Sequence, residues 1–400
     1  MYDVAVIGGG PAGSQVAYRL AGMGYGVVVV EQKERLNEPV CCTGIVSQEC
    51  VRSFTIDESV IFRRVNSAKV FSPSGKLLRL WRAEPQACIV DRAALNLAFA
   101  NRAQGKGAEY VLGNPVSNIE VGNDRVSIKA ARQGDSFEAR AAVLATGFGS
   151  RLVGGLGLGK VGDFVVGAQT EVETIGIDEV EVYLGQEIAP AFFAWLVPTA
   201  PQRALLGLLC RHSSGLYLKK LMASLLAQGK IASASVELSY GGVPLKPLAR
   251  TYGDRLIVVG SAAGQVKPIT GGGIYYGLLC ADMAANTLHR ALSSDTLSTK
   301  NLAGYERGWK RRLGWEFKVG YWARKFNERL SDTQIDRMFD IIKSNGIDEA
   351  LLKAGDLSFD WHSVPILRLI GHQALSKVIG VVKLPLHRRG RDQRESDSIN

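Results

Sequence analysis

Gly8-Gly9-Gly10-Pro11-Ala12-Gly13 follows a β-branched run, Val4 to Ile7, and opens onto a helix-forming stretch from Ala12 to Met23. Glycines at 8, 10 and 13 permit a tight turn and close approach of a pyrophosphate, and the helix N-terminus offers unpaired amides to that anion. Glu31 closes the next apolar run, Val27 to Val30, where a carboxylate can hydrogen-bond both hydroxyls of an adenosine ribose. Strand, glycine turn, helix and acid in this order point to a bound dinucleotide. Two further sets could do chemistry. Cys41 and Cys42 precede Thr43-Gly44, and a loop thiol there is either a proton donor or a small buried apolar group. Phe193 and Trp195 stand two apart, so on a strand both project from one face, as strand core or as the wall of an apolar cleft.

These residues need a scaffold. Val4–Ile7, the glycine turn, the helix and Val27–Val30 make one βαβ unit, the opening of a doubly wound parallel sheet. Alternation from Val116 to Arg140, broken at Gly122-Asn123-Asp124 and Gln133-Gly134-Asp135, predicts an antiparallel meander, followed by a buried strand from Ala142 to Ala145. Longer alternating strands, Val165 to Val172 and Val180 to Leu184, and a helix near Leu216 to Leu226 mark a second, β-rich unit. A buried strand returns at Arg255 to Gly260, then a helix from Gly273 to Leu292, and the pattern stays helical beyond Ser298. The expected division is residues 1–160 with 246–296 as a discontinuous cofactor domain, 161–245 as an inserted antiparallel substrate domain, and 297–400 as a helical C-terminal region ending in a disordered basic tail. The fold class is therefore α/β, a doubly wound Rossmann-like fold with an inserted β-sheet.

A chain of 400 residues is long enough to bury a large cofactor, and 46% hydrophobic with 22% charged residues is ordinary globular composition. The six cysteines, at 41, 42, 50, 88, 210 and 280, form no CxxC pair and no metal-ligand spacing, so no metal and reduced thiols in a cytoplasmic protein are expected. An apolar strand from Tyr2 leaves no room for a signal peptide, and no apolar run reaches the ~18 residues of a membrane span. The net charge of +10 attracts polyanions, yet the basic residues sit in no nucleic-acid module, so no nucleic-acid partner is expected. The cytoplasmic face of a membrane is the expected anionic surface.

Several later segments resemble FAD-binding proteins. Val143-Leu144-Ala145-Thr146-Gly147 is similar to the strand-end ATG element of two-dinucleotide-fold flavoproteins. Gly260-Ser261-Ala262-Ala263-Gly264 with Pro268 resembles their second flavin motif, in which Ser261 stands where an aspartate usually contacts the ribityl chain. Ile269-Thr270-Gly271-Gly272-Gly273-Ile274 then opens a helix as a loop whose amides can approach the flavin N1 and O2 edge. Asp91-Arg92 at a helix start matches an arginine that reaches flavin phosphate or ribityl groups in this superfamily. Pro190 to Pro198 is similar to the PxxYxWxFP segment of the geranylgeranyl reductase family, within the wider fold of p-hydroxybenzoate hydroxylase, with Phe193 at the tyrosine position and Val197 at the second phenylalanine position. Gly207 follows as in the family's GxG, with Leu209 in place of the second glycine, and Val40-Cys41-Cys42-Thr43-Gly44-Ile45 resembles the family's cysteine loop beside the flavin. The likeness covers roughly residues 1 to 320.

The resemblance implies FAD as cofactor, held by Gly8, Gly10, Pro11, Ala12, Gly13, Glu31, Arg92, Ala145, Gly147, Gly260, Ser261, Gly272, Gly273 and Ile274. It implies a prenyl-binding wall of Phe193, Trp195 and Pro198, and catalysis at Cys42. The reaction would hydrogenate isolated C=C bonds of a geranylgeranyl lipid or polyprenyl quinone, by protonation plus hydride from reduced flavin N5, because an isolated alkene has no carbonyl to hold a carbanion. An acidic ferredoxin or a nicotinamide nucleotide would supply the electrons. Two other functions fit the scaffold: a flavin monooxygenase or halogenase, whose WxWxIP pattern lies close to Phe193–Pro198, and a non-catalytic prenyl-binding escort protein. Trp361 to Leu386, apolar with Arg388, Arg389 and Arg391 beyond it, is either an element that seeks the membrane surface or, since Pro365, Gly371 and Gly380 break its periodicity, a C-terminal helix packed on the protein.

Overall fold

The fold comes from a computed structural model that describes residues 1–131, 135–234, 237–347, 349 and 359–366. The stretches expected to seek the membrane or to form a disordered tail fall, from residue 367 onward, outside the described residues.

Val27–Val30 is buried at every position, as a parallel strand covered on both faces must be. It pairs in parallel with Tyr2–Ile7, which pairs on its other side with Ser136–Leu144, and that strand in turn with Leu256–Val258. Glu109–Val111 and Tyr252–Gly253 extend this sheet at its two edges. The helices Pro11–Ala21, Arg92–Gln104 and Ile274–Ser293 cover one face, with Val16, Leu20, Phe99 and Leu288 in the shared core. The expected meander and the buried strand after it are continuous. Ser136–Leu144 pairs antiparallel with Val126–Ala130 through its first half and parallel with Tyr2–Ile7 through its second.

A second sheet runs in the order Ile231–Ala234, Phe164–Thr174, Arg203–Cys210, Ala194–Ala200, Val180–Tyr183, Ser67–Phe71 and Leu77–Trp81, with Ser239–Pro244 also paired to Phe164–Thr174. The helix Ser214–Ala227 closes one face through Leu218, Leu221 and Leu225. The sequence division needs a correction here. Residues 67–81, expected with the cofactor unit, complete the second sheet, because Val180–Tyr183 takes Ser67–Phe71 as a parallel partner in the register Val180 to Ala68. A three-stranded sheet of Ile45–Ser47, Ala87–Val90 and Ile61–Val65 sits between.

The described part of the C-terminal region is mainly helical, as expected. Thr299–Asn327 is a 29-residue helix, and Asp332–Ser344 follows behind a capping box of Ser331 and Gln334. Among the described residues no helix is long and apolar enough to cross a membrane.

Candidate active site

The glycine turn does what its composition requires. Gly8 has φ +106°, and a Cβ there would lie 2.5 Å from the Ala145 carbonyl oxygen; one on Gly13 would lie 2.0 Å from the Gly8 carbonyl oxygen. Both are therefore closed to any side chain, which fixes the first helix tightly against the turn. Gly10 has nothing within 4 Å of where its Cβ would stand. It faces a cavity of about 520 Å³, lined by Gly8, Pro11, Glu31, Arg92, Ala145 and Gly147 among others. Seven residues nominated from sequence thus meet at one opening.

Polar groups in this cavity await a partner. Arg92 donates from Nη1 to Asn96 Oδ1 at 3.1 Å, but among the described residues its buried Nε has no partner, and neither has the buried Thr146 hydroxyl. Lys33 and Arg151 add positive charge to the lining. Unsatisfied donors and cations around an open glycine turn suit the pyrophosphate and ribityl groups of FAD. Glu31 is buried, accepting from the Gly9 amide at 2.6 Å and the Lys33 amide at 3.0 Å. Two backbone donors hold this carboxylate at the end of its strand beside the turn.

The second glycine element meets the first at Ala12. Gly260, at φ +66°, faces the Ala12 methyl, from which an added Cβ would stand 3.2 Å, and Gly277 in the next helix packs on the same pair. Gly273 caps the helix Ile274–Ser293, and a Cβ there would stand 3.5 Å from the Ser261 hydroxyl. The N-termini of two helices therefore converge, with Ser261 and Ile274 at the second. Sequence reasoning missed Gln265, which is fully buried, accepts from the Gly260 amide at 2.8 Å and donates to the Tyr305 hydroxyl at 2.7 Å. It also missed Lys267, which bonds Asp360 at 2.8 Å with both side chains buried. A glutamine or lysine beside glycines carries no periodic signal; only the tertiary contact reveals its role.

The glycine loop abuts an apolar cluster. A Cβ on Gly271 would lie 3.0 Å from Leu209 and 3.4 Å from Val243, and these pack with Phe192, Phe193, Trp195 and Tyr321. Phe193 and Trp195 meet edge to face at 5.9 Å, as their spacing predicts. Gly207 is the floor beneath the indole: a Cβ there would stand 2.5 Å from Trp195 Cζ2. Pro198 does not join them. It is buried on the alternate face of the strand with Ala194 and Leu196, opposite Ala204, because side chains alternate along a strand. It faces away from the side of the strand that carries Trp195 and so lies outside the cleft wall.

The cysteine loop spans the seam between the two sheets. Gly44, at φ +75°, presses on the Val90 carbonyl, Thr43 donates to Gln169 Oε1 at 3.0 Å, and the Cys41 thiol lies 3.6 Å from the Ser239 carbonyl oxygen. Burial pushes the Cys41 thiol up from its ordinary range, so it stays protonated. Cys42 is half-buried in the same loop. Gly242 on the neighbouring strand takes Phe148 of the cofactor cavity against its backbone, so this seam joins cavity and cleft.

Arg324 is buried, with its guanidinium 3.8 Å over the Phe192 ring and Nη2 without a hydrogen-bond partner among the described residues. Burial brings it down to about 10, against the pull of Glu328. Among the described residues no cluster could hold a metal ion.

Residues 2–177 match the pyridine nucleotide-disulphide oxidoreductase family model. The chain is 30% identical to digeranylgeranylglycerophospholipid reductase 2 of Methanothermobacter thermautotrophicus over 354 residues, 84% of this chain and 90% of the relative. It is 29% identical to the digeranylgeranylglycerophospholipid reductase of Methanocaldococcus jannaschii over 366 residues, 87% and 93% of the two chains. Its fold superposes on a geranylgeranyl bacteriochlorophyll reductase-like protein of Thermoplasma acidophilum with TM-score 0.82 and 24% identity, over 95% of this chain and 99% of that one. A halogenase crystallised with FAD shares the fold at TM-score 0.67 and 13% identity, with 95% of each chain covered.

Proposed function

As the chain belongs to the geranylgeranyl reductase family and is an FAD-dependent oxidoreductase, we propose that it hydrogenates the isolated C=C bonds of an isoprenoid lipid of the digeranylgeranylglycerophospholipid kind. The observation that carries this reading is the contact of Gly271 with Leu209 and Val243, which sets an aromatic and aliphatic cluster directly against the glycine loop. An isoprenoid chain offers almost nothing to hydrogen-bond, so burial of apolar surface, at ~25 cal/mol per Å², must supply its affinity.

Bound and reduced, FAD would supply the hydride. The chain's residues do the rest. Gly8, Gly10, Pro11, Ala12, Gly13, Glu31, Arg92, Ala145 and Gly147 hold the adenosine and pyrophosphate end; Gly260, Ser261, Gly272, Gly273 and Ile274 hold the flavin end. Phe193 and Trp195 wall the prenyl chain and exclude water from the reacting carbons. The Cys42 thiol, or a water it positions, delivers the proton to the less substituted carbon, while the indole face of Trp195 eases positive charge on the other. The electrons would come from a soluble acidic electron carrier or a nicotinamide nucleotide.

The test is anaerobic. Photoreduced holoenzyme mixed with a geranylgeranyl phospholipid should reoxidise and yield product heavier by two hydrogens for each bond reduced. Reoxidation only by oxygen, with an aromatic substrate consumed, would instead assign the monooxygenase or halogenase chemistry of the same fold.

A further inference from the structure

The helix Thr299–Asn327 has two faces of different character. Its inner face lies on the site: Gly320 packs on Pro268 and Ile269 of the glycine loop, Tyr321 joins the apolar cluster, and Arg324 covers Phe192. Its outer face carries Arg307, Arg311, Trp315, Lys318 and Trp322, all exposed, at spacings of four, four, three and four residues. At 100° per residue these fall within one stripe. Trp315 is 57% and Trp322 46% exposed, unusual for the largest apolar side chain and repeated about 10 Å apart along the axis.

The stripe is positive as well as aromatic. Glu306 turns to Lys310 and Thr251, Glu316 is taken by the amides of His362 and Ser363, and among the described residues no carboxylate pairs with Arg307, Arg311 or Lys318. The Ser363 contact also brings exposed Val364 beside the helix. Tryptophan seats at the boundary between headgroups and acyl chains, and arginine and lysine beside it meet lipid phosphates.

We propose that this outer stripe is the face by which the enzyme lies on an anionic lipid bilayer, so that one helix touches the membrane on one side and the substrate cleft on the other. The inference rests on the reading that the substrate is a bilayer lipid. It differs from the surface expected of residues 361–386, since Trp361 points inward, bonding Glu49 through Nε1 at 3.2 Å and packing on Tyr275 and Tyr276.

The FAD-loaded enzyme should be sedimented with vesicles of phosphatidylglycerol and phosphatidylcholine, and with phosphatidylcholine alone. The wild type should pellet with the anionic vesicles, release in high salt, and show quenching of its tryptophan emission by brominated phospholipid. Trp315→Ser/Trp322→Ser and Arg311→Glu/Lys318→Glu should each weaken binding at least about tenfold, the former also removing the quenching. Both should keep wild-type activity on detergent-dispersed substrate, because neither pair touches the cleft. Undiminished vesicle binding by either pair overturns the proposal. Loss in the charge-reversed pair alone, with no quenching in the wild type, also overturns it, because the tryptophans then do not enter the bilayer. Intact binding with no reduction of dispersed substrate supports the docking face and overturns the functional reading alone.

Discussion

Trp195 shows what single residues do here, and Gly207 shows how they are enabled. A Cβ at Gly207 would stand 2.5 Å from the indole, a separation no relaxed structure keeps, so Gly207→Ala must push the ring off the strand and into the cleft. The strand ladder itself can persist. The expected result is a folded, yellow protein destabilised by roughly 1–3 kcal/mol, with a raised KM for prenyl substrate; an unchanged KM would remove Trp195 from the cleft wall. The cysteines separate in the same manner. Cys42→Ala should retain FAD while single-turnover reduction slows by ~10²-fold or more, whereas Cys41→Ala, whose thiol meets a backbone carbonyl, should act mildly; the reverse ranking would move the proton source by one residue. The glycines and Glu31 were legible in the sequence because conformation and close approach restrict residue type. The Nε of Arg92 and hydroxyl of Thr146, without partners among the described residues, were not, since satisfaction of a buried donor is a property of its neighbours.

At the scale of elements, helices and strands were read well where periodicity is strong, as in Ser214–Ala227 and Ile274–Ser293. The segment 359–366 was legible only as a choice. Its apolar residues from Trp361 allowed either a surface-seeking element or one packed on the protein, and polar groups decide for packing: Lys267 to Asp360, the Tyr276 hydroxyl to the Asp360 carbonyl, and Glu316 to the amides of His362 and Ser363. These ties hold it on the strand-to-helix loop that carries Lys267. His362 reports on the docking. Burial, with Lys267 nearby, lowers it to about 4, so the docked segment holds it neutral. Undocked, it would titrate near 6.5. Between these values the released form binds more protons, and docking weakens as pH falls by at most about 1.4 kcal/mol per unit. Above the upper value there is no dependence. Hydrogen exchange of residues 359–366 should therefore accelerate as pH drops from 6.5 to 4 after correction for intrinsic rates, and His362→Gln should flatten the trend. A flat wild-type profile would show that the segment does not open.

Over the whole molecule, function depends on two sheets being held in one geometry, and the least legible feature was how far they interlock. Residues 67–81 cross from the first unit to finish the second sheet, a long-range parallel pairing that leaves no local mark on either strand. The long helix completes the union through a charge cluster. Asp163 accepts from Arg211, from Lys325 at 3.1 Å and from the Tyr321 hydroxyl at 2.7 Å, and Arg211 also bonds Glu328. Arg211 follows a strand of the second sheet, whereas Tyr321 and Lys325 belong to the helix that faces the cleft. Partial burial tends to raise Asp163, but the donors from Tyr321, Arg211 and Lys325 outweigh it and hold the carboxyl down at about 2. A folded value below the unfolded ~3.9 means that the unfolded chain takes up the proton first. The stabilisation is complete above about pH 4 and is lost as pH falls through about 2. Thermal midpoints of the wild type should accordingly drop steeply across that window. Asp163→Asn should lower the midpoint at neutral pH, where the carboxylate is missed, and should show a shallower fall in acid, where the wild type has lost it too. Convergence of the two midpoints near pH 2 is the signature of this clamp, and parallel curves would place the acid sensitivity in another group.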